Sequence, residues 1–213
     1  SAHFADLKGI ALAAARFPTV LTLHDEWMLT GHCACSFQCG RWETGCGSCP
    51  DLTIPPAVPR DATRLNFARK RRAVQGSRLH LTTVSKFLMG RVERSPITKG
   101  KPVTVVYNGI DTETFSPGDR IAARKSLGLP VAGRQVLLAG QAIEGINQGI
   151  AQQAAAALNQ LNDHETTVIL VGRSAHKVAA TLNVPHRVLP YQETTRDMAR
   201  CYRAADLTLV SSE

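Results

Sequence analysis

Aromatic side chains are scarce in this sequence, only 5% of its 213 residues, so its core must be built largely from aliphatic groups. The same scarcity argues against nucleic-acid recognition, which relies on rings for base stacking, and no RNA-binding signature accompanies it. Long hydrophobic runs are missing as well. The most apolar stretch, Ile10 to Leu23, is interrupted by Arg16 and Pro18 and is too short to span a bilayer. The N-terminus, Ser1-Ala2-His3-Phe4-Ala5-Asp6, has neither a starting Met nor the charged-then-apolar plan of a signal peptide, and it reads as a cut end. Cysteine is nearly absent outside one short stretch: five of the six lie between Cys33 and Cys49, and only Cys201 stands elsewhere. A secreted disulfide scaffold would be cysteine-dense throughout, so a reducing cytoplasm is the expected compartment.

Acidic residues are outnumbered, with 17 Asp and Glu against 25 Lys and Arg, for a formal charge of +8. Such a surplus attracts nucleic acid, anionic lipid or phosphorylated substrates. Its densest piece runs from Arg64 to Arg72 and includes Arg69-Lys70-Arg71-Arg72. This run reads either as a solvated helix face or as a surface for an acidic partner, a phosphate-rich membrane before nucleic acid.

What is present follows an alternating α/β plan. Helical spacing covers Leu7 to Arg16, and β-branched residues mark a strand over Thr19 to Leu23. A loop from Gly31 to Pro50 has no periodicity, and a basic helix is expected over about Asp61 to Val74. Strands over Leu79 to Val84 and Pro102 to Tyr107 flank a helix capped by Ser85. The Ser116-Pro117-Gly118 punctuation marks a crossing between lobes, and a short helix is expected over Ile121 to Leu127. A second series follows, with strands at Gln135–Ala139, Thr166–Val171, Arg187–Tyr191 and Leu207–Val210. Helices over Gly149–Leu161 and Thr195–Ala204 lie between them. Alternation of this kind argues for parallel sheets with right-handed crossovers, here as two Rossmann-like lobes.

The order of the motifs is more informative than any one of them. His24-Asp25-x-Trp27-x-x-Thr30-Gly31-His32-Cys33 comes first, then Cys39-x-Arg41-Trp42-x-Thr44-Gly45-Cys46-x-x-Cys49-Pro50. Val84-Ser85-Lys86, Asn108-Gly109-Ile110-Asp111, Leu170-Val171-Gly172 and Tyr202-x-Ala204-Ala205-Asp206 … Ser211-Ser212-Glu213 follow. This series resembles the GT-B glycosyltransferases of family 4, and within them bacterial enzymes of exopolysaccharide (colanic-acid-type) assembly.

The resemblance implies an α/β protein with two Rossmann-like GT-B lobes, both incomplete in this chain. Residues 1–110 would be the C-terminal part of an acceptor-binding N-lobe with a Cys-rich insertion at 31–50, and 111–130 the interdomain crossing. Residues 131–213 would be the N-terminal part of a nucleotide-sugar-binding C-lobe. The implied reaction is retaining hexosyl transfer from a nucleotide-diphosphate sugar to a glycan or polyprenyl-diphosphate-linked acceptor, with no catalytic metal and no nucleic acid. It would take place in the cytoplasm, with peripheral contact at the inner face of the plasma membrane. Other readings are an inactive or truncated relative and a Cys-knuckle nucleic-acid-binding module.

Residue by residue, the resemblance implies His24 and Glu213 as the catalytic residues, His24 a cleft-facing contact to acceptor or donor sugar and Glu213 the first acid of a paired-glutamate segment that holds the donor sugar. Gly140, Gln141, Gln148, Gly172 and Arg173 fall at the expected donor-binding positions. At Gln141 and Gln148 the family usually has an Arg and a Lys that grip the diphosphate. Neutral amides lack that charge assistance, and Arg173 is the nearest substitute.

The cysteines need their own reading. Cys33, Cys39, Cys46 and Cys49 form C-x5-C-x6-C-x2-C, compact enough to wrap one tetrahedral ion, with Cys35 and His32 as spare ligands. Only Cys46-Gly47-Ser48-Cys49 is a true CxxC knuckle. Structural zinc, reduced unligated thiols or transient disulfides, and an iron–sulfur or redox role all stay open on spacing alone.

Overall fold

The computed structural model describes residues 7–142 and 146–210, and the chain divides into two compact units, Ser1–Gly109 and Ile110–Glu213. The first unit runs α1 (Leu7–Arg16), β1 (Thr19–Leu23), α2 (Thr63–Gln75), β2 (Leu79–Thr83), α3 (Lys86–Arg94) and β3 (Val103–Val105). Its three strands pair in parallel in the order β1-β2-β3. Helix α1 turns Leu7, Ile10 and Ala14 inward, the helical spacing of its apolar residues, into the same core as Leu21 and Leu23 of β1 and Leu79 and Leu81 of β2. Ser85 caps α3 as expected, its hydroxyl accepting from the Leu88 amide at 3.2 Å, and Leu88 and Val92 join the same core. Strand β3 is shorter than its apolar run, because only Val103 to Val105 find register partners on β2.

The basic helix presents an exposed basic face, with one of its cations turned inward. Thr63, Phe67, Lys70 and Val74 form its inward stripe, while Arg64, Arg69, Arg71 and Arg72 are exposed. Lys70 thus occupies a core position of the helix.

The second unit runs α4 (Arg120–Ser126), β4 (Arg134–Ala142), α5 (Ile146–Gln160), β5 (Thr166–Arg173), α6 (Ala175–Ala179), β6 (His186–Leu189), α7 (Thr195–Ala204) and β7 (Leu207–Leu209). Its four parallel strands lie in the order β6-β5-β4-β7. Side chains alternate across the sheet. Leu138, Val168 and Leu170 pack with Ala151 and Ala155 of α5 and with α6, and Leu137, Ile169 and Val171 pack with Ala123 of α4 and Cys201 of α7. Both faces are therefore covered, which is why β5 is almost wholly apolar between Val168 and Val171. Helix α6 has only five residues, too few for a periodic pattern to announce it.

Candidate functional site

The first sheet ends in a loop held by its own polar residues. His24 is exposed immediately after β1. Asp25 accepts the Trp27 amide at 2.8 Å and so closes the turn beyond it. Glu26 is buried. One carboxylate oxygen accepts the Ser36 amide at 2.7 Å, and the other lies 2.9 Å from Arg91 Nε on α3, in ion-pair range but off the line for a hydrogen bond. Arg91 also donates to the Ser36 hydroxyl at 2.7 Å and stacks over Trp42 and Phe87. Glu26 and Arg91 escape sequence reasoning because a Glu beside a candidate catalytic His looks reactive, whereas its burial makes it a brace.

The cysteine-rich loop docks on α2 through Lys70. The ammonium donates to the carbonyls of Trp27 and of Thr30 (3.0 Å) and sits 3.6 Å from the centre of the Trp27 ring. Burial pulls it down to about 7, while the charges of Cys33, Cys46 and Asp25 pull the other way. Burial also pushes the Cys46 thiol up to about 11, opposed by the Gly31 amide and reinforced by Cys33, Cys39 and Cys49. Cys33 is raised in the same manner. The four expected ligands are thus electrostatic neighbours, and His32 Nε2 stands 3.4 Å from Cys49 Sγ. Among the described residues, no three His, Cys, Asp or Glu side chains are gathered closely enough to hold an ion as they stand.

Beside this loop runs an open groove of about 1750 Å³ between the knuckle, α2 and the end of α3. Arg64, Arg71, Arg72, Arg94 and Lys99 line it. Its two acids are engaged: Glu43 pairs with Arg94 at 3.3 Å, and Asp61 accepts the Cys49 and Thr63 amides and the Thr63 hydroxyl.

In the second unit the sheet order reverses between β4 and β7, and open α/β sheets bind ligands at such a switch point, beyond the carboxyl ends of the strands. Gly140 and Gln141 lie at that end of β4, in a β-bulge: Ala139 pairs with Val171 but Ala142 pairs with Arg173. Gly172 lies opposite with φ +153, a conformation that side chains rarely adopt. Arg173 is exposed, its guanidinium 4.9 Å from the centre of the Tyr191 ring beyond β6. The fold therefore brings Gly140, Gln141, Gly172 and Arg173 to one sheet edge. Gln148 lies in the first turn of α5, the helix that follows β4. Tyr191 was not among the expected residues, although its place just past a strand end was the available signal. Glu213 lies outside the described residues, after β7.

Tyr202, Ala204 and Asp206 turn out to be structural. Asp206 accepts from Arg120 (2.6 Å), from the buried Arg124 (2.5 Å) and from the Gln135 amide (2.7 Å), joining α4 to the start of β4. Arg203 donates to the Ser116 and Thr114 carbonyls, and Tyr202 meets Phe115 edge-on at 6.1 Å, so α7 holds the segment after Ile110 in place.

No family model matches the chain. It is 46% identical over 52 residues, 24% of its length, to the putative colanic acid biosynthesis glycosyl transferase WcaC of Escherichia coli, of which this covers 13%. It is 36% identical over 120 residues, 52% of its length, to a D-inositol 3-phosphate glycosyltransferase of Mycolicibacterium gilvum, of which this covers 26%. The chain thus spans about a quarter or less of these curated relatives. Among solved structures it is similar to WaaG, a glycosyltransferase involved in lipopolysaccharide biosynthesis, with a TM-score of 0.52 and 20% identity over 70% of this chain and 42% of that one. The curated proteins it matches are glycosyltransferases, and its α/β fold of parallel sheets is similar to that of a solved glycosyltransferase.

Proposed function

We propose that the chain serves hexosyl transfer, with retention, from a nucleotide-diphosphate sugar to a glycan or lipid-linked acceptor in surface polysaccharide assembly. The observation that carries this reading is the edge of the second sheet. A bulge at Gly140–Gln141 faces a positive-φ glycine at the switch point, with Arg173 beside it. Gly140 and Gly172 carry no Cβ, so the backbone at these two positions can approach a diphosphate closely. Helix α5 begins beyond the same edge, and its dipole favours negative charge near its N-terminus. Arg173 would supply the charge-assisted contact that Gln141 and Gln148 cannot. Glu213 would hold the donor sugar, and the exposed His24 would meet acceptor or sugar.

The basic groove of the first unit suits a phosphorylated acceptor. One relative is named for such a compound, D-inositol 3-phosphate, and a polyprenyl diphosphate at a membrane surface presents the same chemistry. Calorimetric titration with uridine, guanosine and adenosine diphosphate sugars tests the donor site. Saturable heat with one of them is expected, weakened about tenfold or more in Arg173→Ala with the melting temperature unchanged. A second reading, a relative that folds without turnover, is favoured by the two neutral glutamines. Absence of saturable heat with every donor would select it.

A further inference from the structure

We propose that the basic groove of the first unit is a binding site for a ligand carrying two phosphate groups, held by Arg64, Arg71, Arg72 and Lys99. The inference begins with the phase of α2. Arg64, Ala68, Arg71, Arg72 and Gln75 recur at three- and four-residue spacings, so they share the helix face that lines the groove. Arg69 belongs to the same basic run but has no part in the lining. From Arg64 to Gln75 this face is about 16 Å long.

Both ends of the groove are fixed by contacts of their own. The stem of Arg64 lies along the cysteine loop, where a Cβ at Gly47 would stand 3.3 Å from its Cβ and 3.7 Å from its Cδ. At the other end, the Gln75 side-chain amide donates to the carbonyls of Ile97 (2.9 Å) and Lys99 (3.0 Å), tying the turn that bears Lys99 to the end of α2. Arg64, Arg71, Arg72 and Lys99 are exposed, and among the described residues none has a carboxylate in ion-pair range. Arg94 differs, because it pairs with Glu43. Five cations against the carboxylates of Glu43 and Asp61 leave the lining a net charge of +3. One phosphate monoester carries about −1.5 to −2, so two phosphate groups balance the groove where one does not. Three of the four cations are arginines, whose planar fork matches phosphate oxygens in pairs.

The groove, about 1750 Å³, exceeds the roughly 300–1,000 Å³ of an ordinary small-molecule pocket and leaves room for the group that bears the phosphates. Nucleic acid fits it less well: Phe67, the aromatic residue of the lining, is buried and offers no face to a base. Gln75 and Lys99 lead into the amino ends of β2 and β3, whereas His24 follows the carboxyl end of β1. The phosphates held here are therefore a handle on the ligand and not its reacting group. This goes beyond the acceptor reading above, and it holds whether or not a sugar is transferred.

Calorimetric titration of the chain with inorganic pyrophosphate tests it. Saturable binding is expected, weakening as salt is raised. The double variant Arg71→Gln/Arg72→Gln should weaken it about tenfold or more with the melting temperature unchanged. Arg69→Gln/Arg78→Gln removes the same charge from exposed positions outside the lining and should stay within about twofold of the parent. Arg173→Ala, which disables the proposed donor edge of the second unit, should leave pyrophosphate binding intact. Sedimentation with phosphatidylcholine vesicles, with and without a polyprenyl diphosphate, separates the two sources of such a ligand. Diphosphate-dependent sedimentation that free pyrophosphate reverses assigns the groove to a lipid headgroup, and pyrophosphate binding without it assigns a free compound. Absence of saturable heat would overturn the proposal, as would an equal loss in the two double variants. Loss of binding in Arg173→Ala would overturn it too, by moving the pyrophosphate to the donor edge.

Discussion

At the scale of single residues, two buried cations show how the same charge is accommodated in different ways. Arg124 is satisfied within its own unit: it donates to the carbonyls of Ala204 (2.9 Å), Val131 (2.8 Å) and Gly133 (3.2 Å) and pairs with Asp206. Its planar fork suits several fixed acceptors at once. Replacing it with Met leaves Asp206 and three carbonyls short of a donor, and a loss of about 3 kcal/mol or more is expected by urea denaturation. An unchanged midpoint would mean that water replaces the guanidinium without cost. Lys70 has two carbonyls and a ring, with no carboxylate in ion-pair range among the described residues, and burial pulls its amine down to about 7.

At the scale of elements, two connections are held by close packing and by local hydrogen bonds. Gly31 lets the cysteine loop lie directly on the start of α2. A Cβ there would fall 2.5 Å from Thr63 Cβ and 2.9 Å from Cys46 Cβ. Gly31→Ala is therefore expected to cost about 1–3 kcal/mol through overpacking, measured by chemical denaturation. The turn into β5 is held by Asp163, which accepts the Thr166 hydroxyl (2.7 Å) and the Glu165 and Thr166 amides (3.0 Å each), with Arg134 at 2.9 Å. The Thr166 hydroxyl above all, with Arg134 and the Glu165 amide, draws the carboxyl from 3.8 down to about 2. As pH falls, the unfolded chain takes up this proton first, so the contribution is whole above about pH 4 and lost by about pH 2. Asp163→Asn should melt below the parent at neutral pH, and the gap should close across that window. A gap that persisted at pH 2 would assign the effect to packing.

At the scale of the whole molecule, the apolar clusters of the two units share no residue. Each sheet has its own covering helices, so residues 110–213 expressed alone are expected to unfold in one cooperative thermal transition. A gradual melt without a heat-absorption peak would mean that this core depends on the first unit.

Most of this architecture is legible in the sequence. Apolar runs such as Val168–Val171 read as buried parallel strands, and Ser85 reads as a cap, because both depend on neighbours a few residues away. The donor-site position of Gly172 came with the resemblance, whereas its positive φ is a finding of the structure. Lys70 was not. It stands in a basic run whose charge suggests solvent, and only its phase on the inward stripe with Thr63, Phe67 and Val74, realised when α2 packs, takes it inside. The bulge opposite Gly172 and the stacking of Arg173 on Tyr191 join strands far apart in the chain. The sequence by itself therefore determined the alternating elements, the capping and the resemblance to glycosyltransferases. Only the tertiary structure decided which charges are buried, which residues share the switch-point edge and which acids are braces, because burial and long-range pairing arise from packing.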